Sequence, residues 1–332
     1  MWFTKLMGFT EQSPQQVREN IQLDGNSLHS LVNDKKFLCG QLETPSLSEL
    51  RQRVSRLNIK NAALTVREQI ADVTALHTHI DNADALFQVA SQFNLLEMFS
   101  PSITPEQGVD MYEGDYTQGP ACAVAAGAGT IYRNYFVPLN NQTGQSAHQQ
   151  INCLADIGQL LGNTEDKPLW NMTNGYALAS EQGLMHIAEQ LSIASDTRID
   201  EIRSALRIGI QNNTEVTLAK TRHTVSQAYC SALPVAYSAH APALWEAFAR
   251  LILEASYEAC LCAGALNYHN TTNNKVYLTQ IGGGAFGNDT AWIMQAIQRA
   301  LGLFKHLDLD VIIVSHSQSS PAVQKMIRDF SA

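Results

Sequence analysis

Two blocks of the chain carry residue types and spacings that could do chemistry. The later one runs Val276-Tyr277-Leu278-Thr279-Gln280-Ile281-Gly282-Gly283-Gly284-Ala285-Phe286-Gly287-Asn288-Asp289. An apolar, β-rich segment ends there in a glycine loop, and Thr290 to His306 then reads as a helix. Strand, glycine loop and helix together present backbone N–H groups and a helix N-terminus to a phosphate. Glycine lets the backbone approach a ligand closely and take up positive φ. The earlier block, Tyr112-Glu113-Gly114-Asp115-Tyr116-Thr117-Gln118-Gly119-Pro120-Ala121-Cys122-Ala123, sets carboxylates and an amide beside a small-residue helix start. A carboxylate there can deprotonate a water or hold a sugar hydroxyl, and an acid can assist a leaving group. Asp115 is the candidate carboxylate, with Glu113 and Asp110 in reserve and Gln118 to orient water or ribose. An Asx turn or N-cap opening the Pro120 helix is the structural alternative for Asp115.

Gly282, Gly284 and Gly287 also spell G-x-G-x-x-G, the nicotinamide-dinucleotide fingerprint. That fingerprint belongs in the first βα unit, with an acidic residue closing the next strand to hold the ribose. Here the loop lies about fifty residues from the end of the chain, and the next strand, Val311 to Ser315, runs into His316-Ser317-Gln318. Asp308 and Asp310 stand at its wrong end, and no Gly-Lys-Ser/Thr follows the loop to make a Walker A site. A glycine-rich turn without a ligand remains the plain alternative.

The elements that must position these blocks alternate. Ala85 to Gln92 reads as a buried strand leading to Asn94, Pro101 to Gly119 as a long polar loop, and Pro120 to Gly129 as a tightly packed helix start. Gln145 to Leu161 and Ala177 to Ser192 read as helices, Leu206 to Ile210 and Glu215 to Leu218 as strands, and Ala241 to Ala265 as a long apolar helix. Val276 to Ile281 and Val311 to Ser315 are strands, and Pro321 to Phe330 a closing helix. This alternation predicts an α/β fold with a mainly parallel sheet. Residues 1 to about 60 read as a helical extension, with Ser46 and Glu49 forming a capping box.

Of the 332 residues, 45% are hydrophobic and 16% charged, as in a soluble globular protein. The net charge of −9, without a Lys/Arg run, argues against a nucleic-acid partner. Cys39, Cys122, Cys153, Cys230, Cys260 and Cys262 show no CxxC pair and no zinc spacing, so reduced, buried thiols and no metal or cofactor are expected. Cys122 near a helix start is a possible nucleophile, but no partner histidine is identifiable, and His223, His240 and His316 are expected to be structural or surface residues. No apolar run approaches a membrane span, and Met1-Trp2-Phe3-Thr4-Lys5 lacks a signal h-region, so no membrane partner and a cytoplasmic setting are expected.

Gly282-Gly283-Gly284-Ala285-Phe286-Gly287-Asn288-Asp289 resembles the second phosphate-binding loop of poly(ADP-ribose) glycohydrolase-type macrodomains. There a Cys-Gly-Ala-Phe-Gly-Gly/Asn-Asp run wraps the ADP-ribose diphosphate. Val225-Ser226-Gln227-Ala228-Tyr229-Cys230 is similar to a Lys-Ala-Tyr-Cys stretch of that family, and Val311 to Ser315 with the helix at Pro321 to its closing strand and helix. The resemblance covers roughly residues 205 to 332, and 85 to 140 loosely. It implies a macrodomain-like, three-layer α/β/α domain over 61–332 with a mixed, mainly parallel sheet, preceded by the helical N-terminal extension over 1–60. It implies that Gly282, Gly283, Gly284, Ala285, Gly287 and Asn288 bind the diphosphate of ADP-ribose and that Phe286 packs on the distal ribose, a core plug being the alternative for Phe286. Asn94 would hold ribose hydroxyls, unless it is a turn residue, and Asp110 would join the binding set.

The Tyr112 block lacks the glycohydrolase Gly-Gly-Gly and Gln-Glu-Glu. It resembles instead the Asp-x-Thr-Gln-Gly-Pro-Ala-Cys-Ala block of a divergent branch that includes bacterial effector ADP-ribosylhydrolases; Tyr132-Arg133-Asn134-Tyr135-Phe136 and Gly144-Gln145 fit the same branch. Arg133 is left between pairing a buried acid and reaching phosphate. The resemblance implies a hydrolase that removes ADP-ribose from modified proteins by cleavage at the distal ribose C1, with Asp115, Glu113 and Gln118 as its catalytic set. A non-catalytic ADP-ribose reader is the alternative, and ubiquitin-like targets and delivery to a host cytosol are within the effector resemblance.

Overall fold

The computed structural model describes residues 1–57 and 62–331. The expected domain boundary at 60/61 lies outside the described residues. Seven strands form one sheet: β1 (Gln41–Glu43), β2 (Thr65–Ile70), β3 (Leu86–Ser91), β4 (Gly209–Glu215), β5 (Thr224–Ser231), β6 (Lys275–Leu278) and β7 (Asp310–Ser315), in the order β1-β4-β5-β3-β6-β7-β2. Neighbours from β5 through β2 pair parallel, and β4 runs antiparallel to both β5 and β1. The central strand β3 is almost wholly buried, as a parallel strand covered on both faces must be.

The helices are α1 (Trp2–Met7), α2 (Pro14–Asn20), α3 (Leu47–Ser55), α4 (Val73–Thr78), α5 (Gln118–Ala125), α6 (Gly127–Tyr135), α7 (Ala155–Leu161), α8 (Glu181–Ile193), α9 (Asp196–Ser204), α10 (Pro242–Thr271), α11 (Thr290–Phe304) and α12 (Pro321–Ser331). The pleat of β5 assigns two of the layers. Gln227 donates to the Cys122 carbonyl of α5 at 2.9 Å, and Arg133 of α6 lies 3.7 Å over the Tyr229 ring. Cys230, of opposite parity, reaches the Ser256 carbonyl of α10. The three-layer α/β/α expectation is met, with a mainly parallel sheet. An ion-pair network fastens the α10 layer: Arg51 of α3 grips Asp200 of α9 at 2.7 and 2.9 Å and also reaches Glu258 of α10, which Arg299 of α11 contacts at 2.6 Å.

Several local expectations are corrected. The first 57 residues are not a helical extension. Besides α1, α2 and α3 they form a three-stranded sheet (Ile21–Asp24, Ser27–Ser30, Lys36–Leu38), and β1 joins the main sheet. The signal was the Gly25-Asn26 pair, the two-residue turn of a hairpin that Asp24 and Ser27 close, with Gly25 at φ 57°. Asn174-Gly175, both at positive φ, makes a second two-residue hairpin turn between Trp170–Thr173 and Tyr176–Ala179, so the helix expected from Ala177 starts only at Glu181, capped by Ser180. Only Ala155–Leu161 of the Gln145–Leu161 segment is helical, because the Gln145 side chain ties its own stretch to the Asn94 and Arg133 carbonyls and to the Ile151 N–H. The two strands expected around Asn212-Asn213 are one strand, β4, with an irregularity where Asn213 takes φ 53°. The Ser46/Glu49 capping box forms on α3.

Glu68 on the edge strand β2 clamps the turn between β7 and α12, accepting from the Ser315 and Ser319 hydroxyls, the Ser320 N–H and the Gln324 amide. Burial pushes its carboxyl up, but the Gln324, Ser315, Ser319 and Ser320 donors outweigh that and hold it at about 2. A carboxyl with a depressed folded value stabilises above its unfolded value and loses that contribution as pH falls toward the folded one. Glu68→Gln is therefore expected to lower the midpoint of thermal unfolding at pH 7. The gap to wild type should close between about pH 4.5 and pH 2 in melts run across that range.

Candidate active site

The sheet opens a cleft in its middle. β3 and β6 pair only at Leu86–Val276 and Phe87–Tyr277 and then part. Beyond that point β3 is served by a side chain: the Gln118 amide nitrogen donates to the Gln88 carbonyl at 2.8 Å, and its oxygen accepts the Ala90 N–H at 2.9 Å. On the other bank the Thr279 N–H donates to the Gln88 side chain at 3.1 Å. Into the gap opens a cleft of about 410 Å³, bounded by Ala90–Gln92, Glu97, Asp115–Pro120, Thr279–Gly282 and Gly284–Phe286. It lies past the carboxyl ends of parallel strands, where open α/β sheets place their ligands. That volume falls within the range of small-molecule sites.

The glycine loop is held from behind. Tyr257 of α10 donates its hydroxyl to the Thr279 carbonyl at 2.7 Å and accepts the Ile281 N–H at 3.0 Å. Asn288 bridges the loop, its N–H donating to the Gly282 carbonyl at 2.9 Å and its amide to the Leu233 carbonyl at 2.8 Å. Gly283 N–H and Gly287 N–H close onto the Gln280 and Gly284 carbonyls. The remaining N–H groups, those of Gly282, Gly284, Ala285 and Phe286, donate to no acceptor among the described residues. Those same four residues line the cleft. A Cβ on Gly282 would strike the Ala232 and Asn288 side chains, and its φ of 74° belongs to glycine. Gly283, Gly287 and Asn288, expected in the binding set, thus lock the loop and do not line the cleft. The α11 N-terminus is already capped by Asp289, which accepts the Ala291 N–H at 2.7 Å, so the expected helix-end charge is offset by a carboxylate. Phe286 stands between its two expectations: half-buried against the core, it also lines the cleft beside Tyr176 and Tyr237, with ring centroids 5.4 and 5.5 Å away.

Across the cleft, Asp115 accepts the Thr117 N–H at 2.8 Å and its hydroxyl at 2.7 Å. The Asx turn opening α5 and the cleft position are both real. Gln118 is also in place, but its amide is spent on β3. Three expected site residues are elsewhere. Glu113 faces Lys5 of α1 at 3.7 Å on the outer surface. Asp110 is buried against α1, its Oδ1 accepting the Phe3 N–H at 3.2 Å. Asn94 is fully buried, donating to Gln150 at 2.8 Å and accepting the Leu96 N–H at 3.1 Å, a turn residue after all. Cys122 is buried, and burial pushes its thiol well up, which removes it as a nucleophile. His316 lines the mouth of the cleft. Among the described residues no group of three or more His, Cys, Asp or Glu is placed to hold a metal.

Sequence reasoning missed Glu97. It lines the cleft, is 2% exposed, and its side chain has no hydrogen-bond partner among the described residues. Burial pushes its carboxyl well up, against the pull of Arg133 and with the push of Asp115. The available signal was a single acid inside the apolar run Leu95-Leu96-Glu97-Met98-Phe99. The cleft therefore joins an anion cradle of free N–H groups to two carboxyls in unlike surroundings, which suits acid–base hydrolysis of a phosphate-bearing glycoside.

No protein-family model and no curated protein matches this chain. Among solved structures it is similar to poly(ADP-ribose) glycohydrolase from Deinococcus radiodurans in complex with ADP-ribose (TM-score 0.46, 12% identity, 88% of this chain and 95% of that one). It is also similar to the glycohydrolase from Thermomonospora curvata (TM-score 0.45, 10% identity, 96% and 94%). Likeness of this degree carries no function to the chain.

Gln118→Leu should cost roughly 1–3 kcal/mol of unfolding free energy by leaving the Gln88 carbonyl and Ala90 N–H without their partner, as read by urea denaturation.

Proposed function

We propose that the protein binds ADP-ribose in this cleft and hydrolyses ADP-ribosyl bonds of modified proteins at the distal ribose C1. One observation carries the reading: the only N–H groups the glycine loop leaves free among the described residues belong to the residues that line the cleft, and they lie across it from Asp115 and Glu97. A diphosphate takes the place of the missing acceptors, and a backbone cradle holds it on a chain of net charge −9, in a cleft that no Lys or Arg among the described residues lines. The Tyr176, Tyr237 and Phe286 rings give an apolar wall for a base or sugar face. The residue resemblance supplies ADP-ribose as the diphosphate, and its effector branch adds ubiquitin-like proteins as targets and a cytosolic setting. Asp115, in contact with solvent, serves as the base that takes the proton of water.

The reader alternative draws on one fact: both hydrogen bonds of Asp115 go to one oxygen, in a turn that would exist without catalysis. The second oxygen has no partner among the described residues, which leaves the base function available.

Titration calorimetry is expected to show ADP-ribose binding to the wild type. A Cβ at Gly284 meets no heavy atom within 4 Å, so Gly284→Glu should fold normally, with an unchanged melting point. Its carboxylate beside the cradle should abolish the binding heat. Asp115→Asn keeps the acceptor of the Asx turn and removes the charge. Its turnover of ADP-ribosylated protein should fall about a hundredfold or more while ADP-ribose affinity stays within about threefold. Normal turnover in Asp115→Asn would reassign the base.

A further inference from the structure

We propose that Glu97 is the general acid of this cleft, handing its proton to the atom that leaves C1 while Asp115 takes the proton of the attacking water. The proposal rests on the ADP-ribosylhydrolase reading and adds to it a residue that the motif blocks do not contain.

The geometry singles Glu97 out. The chain spends little on buried carboxyls: Glu258 has Arg51 and Arg299, and Glu215 has Arg222. Glu11 accepts from Tyr135 and two N–H groups. Glu97, at 2% exposure, has no hydrogen bond to its carboxyl and no ion pair within 4.0 Å among the described residues, yet it lines the cleft. A buried acid left without partners is costly unless it is neutral or meets a partner that the free protein lacks. The α5 N-terminus has been shaped around it: a Cβ on Gly119 would collide with the Glu97 carboxylate and the Ala90 carbonyl, so only glycine lets that helix start so close. The groups facing it are Arg133 from α6, Asp115 and Cys122 from α5 and the turn before it, Tyr112 from the preceding 3-10 turn, Tyr229 from β5 and Tyr176 from the hairpin. Arg133 is the one cation among them, fully buried, with its Nη1 unpartnered.

These surroundings suit an acid that gives up its proton late. Apolar burial and the Asp115 charge keep Glu97 neutral in the resting protein. When the C1 bond to the leaving oxygen or nitrogen breaks, its electron pair stays on that atom, which takes the Glu97 proton. The water oxygen bonds to C1, and its proton passes to Asp115. Glu97 is left as an anion facing the Arg133 guanidinium, which stabilises the charge just formed. Proton exchange with solvent resets both carboxyls, and the net reaction is hydrolysis.

The test uses the full chain with Glu97→Gln, an isosteric neutral change, and checks its folding by thermal melt. Two substrates are compared: ADP-ribose linked to a serine hydroxyl, a poor leaving group, and a nitrophenyl glycoside of ADP-ribose, whose leaving group needs no proton. On the serine linkage kcat should fall about 10²- to 10⁴-fold and the alkaline limb of the pH–kcat profile should vanish. On the nitrophenyl substrate the fall should stay under about tenfold, because protonation there adds little. ADP-ribose affinity should change by less than about threefold. Equal losses on both substrates, or an alkaline limb that persists, overturn the proposal. A wild type that neither binds ADP-ribose nor turns over either substrate removes the function reading itself, whereas an active wild type beside an equally active Glu97→Gln removes this assignment alone.

Discussion

Everything at the site follows from one backbone constraint: β3 and β6 are hydrogen-bonded neighbours for only two register pairs and then separate. A separation inside a sheet exposes N–H and C=O groups that must find partners. The chain meets the demand with amide side chains. Gln118 crosses from α5 to stand in for a strand, and Gln88 reaches across to Thr279. The same substitution that satisfies β3 pins the N-terminus of α5, and with it Asp115 and Gly119, to one bank of the gap. The opposite bank is set by Tyr257 and Asn288 on the glycine loop. The cleft is thus a wedge in the sheet, with its walls fixed by the bonds that fill in for missing strand pairing.

The electrostatics divide along the same line. On the loop side the positive end of the peptide dipole is available through four N–H groups and no side-chain cation, and Asp289 consumes the helix end. On the α5 side two carboxyls sit close enough to influence each other, one in an exposed turn and one in the interior. Like charges near each other cannot both ionise cheaply. Burial sets them apart: it pushes the Glu97 carboxyl well up, against the pull of Arg133 and with the push of Asp115. Arg133, the one buried Arg or Lys among the described residues, is anchored to the Leu95 carbonyl and the Thr130 hydroxyl and lies against Tyr229, so it acts as a fixed charge and does not swing toward a ligand.

Much of this was legible in the chain. The β6 strand, the glycine loop and α11 were readable from one stretch, because periodicity and glycine placement there agree with the tertiary outcome. Asp115 and Gln118 were readable as a dense polar block. The errors share a cause. Asn94, Glu113 and Asp110 were chosen by proximity to motifs, and direction of projection, which sequence does not encode locally, sends each away from the cleft. Glu97 was hidden for the opposite reason: its neighbours are core residues, and its importance comes from partners it lacks, which shows only in three dimensions. In the N-terminal region polar alternation in short strands imitates a solvated helix, although the Gly25-Asn26 pair is a turn signal, as Asn174-Gly175 is before the Glu181 helix.

The sheet order carries a further consequence for how the molecule comes into being. β3 lies between β5 and β6, whose residues follow it by more than a hundred positions, and the edge strand β2 waits for β7, with Thr65 opposite Asp310. Loop closure over such spans comes late and slowly. During synthesis β3, buried on both faces in the finished sheet, emerges with neither flank covered, and the wedge that becomes the cleft lacks its second wall until the glycine loop after β6 has been made. The cleft can therefore take shape only after segments far apart in the chain have met, and until then β3 lacks both of its sheet neighbours.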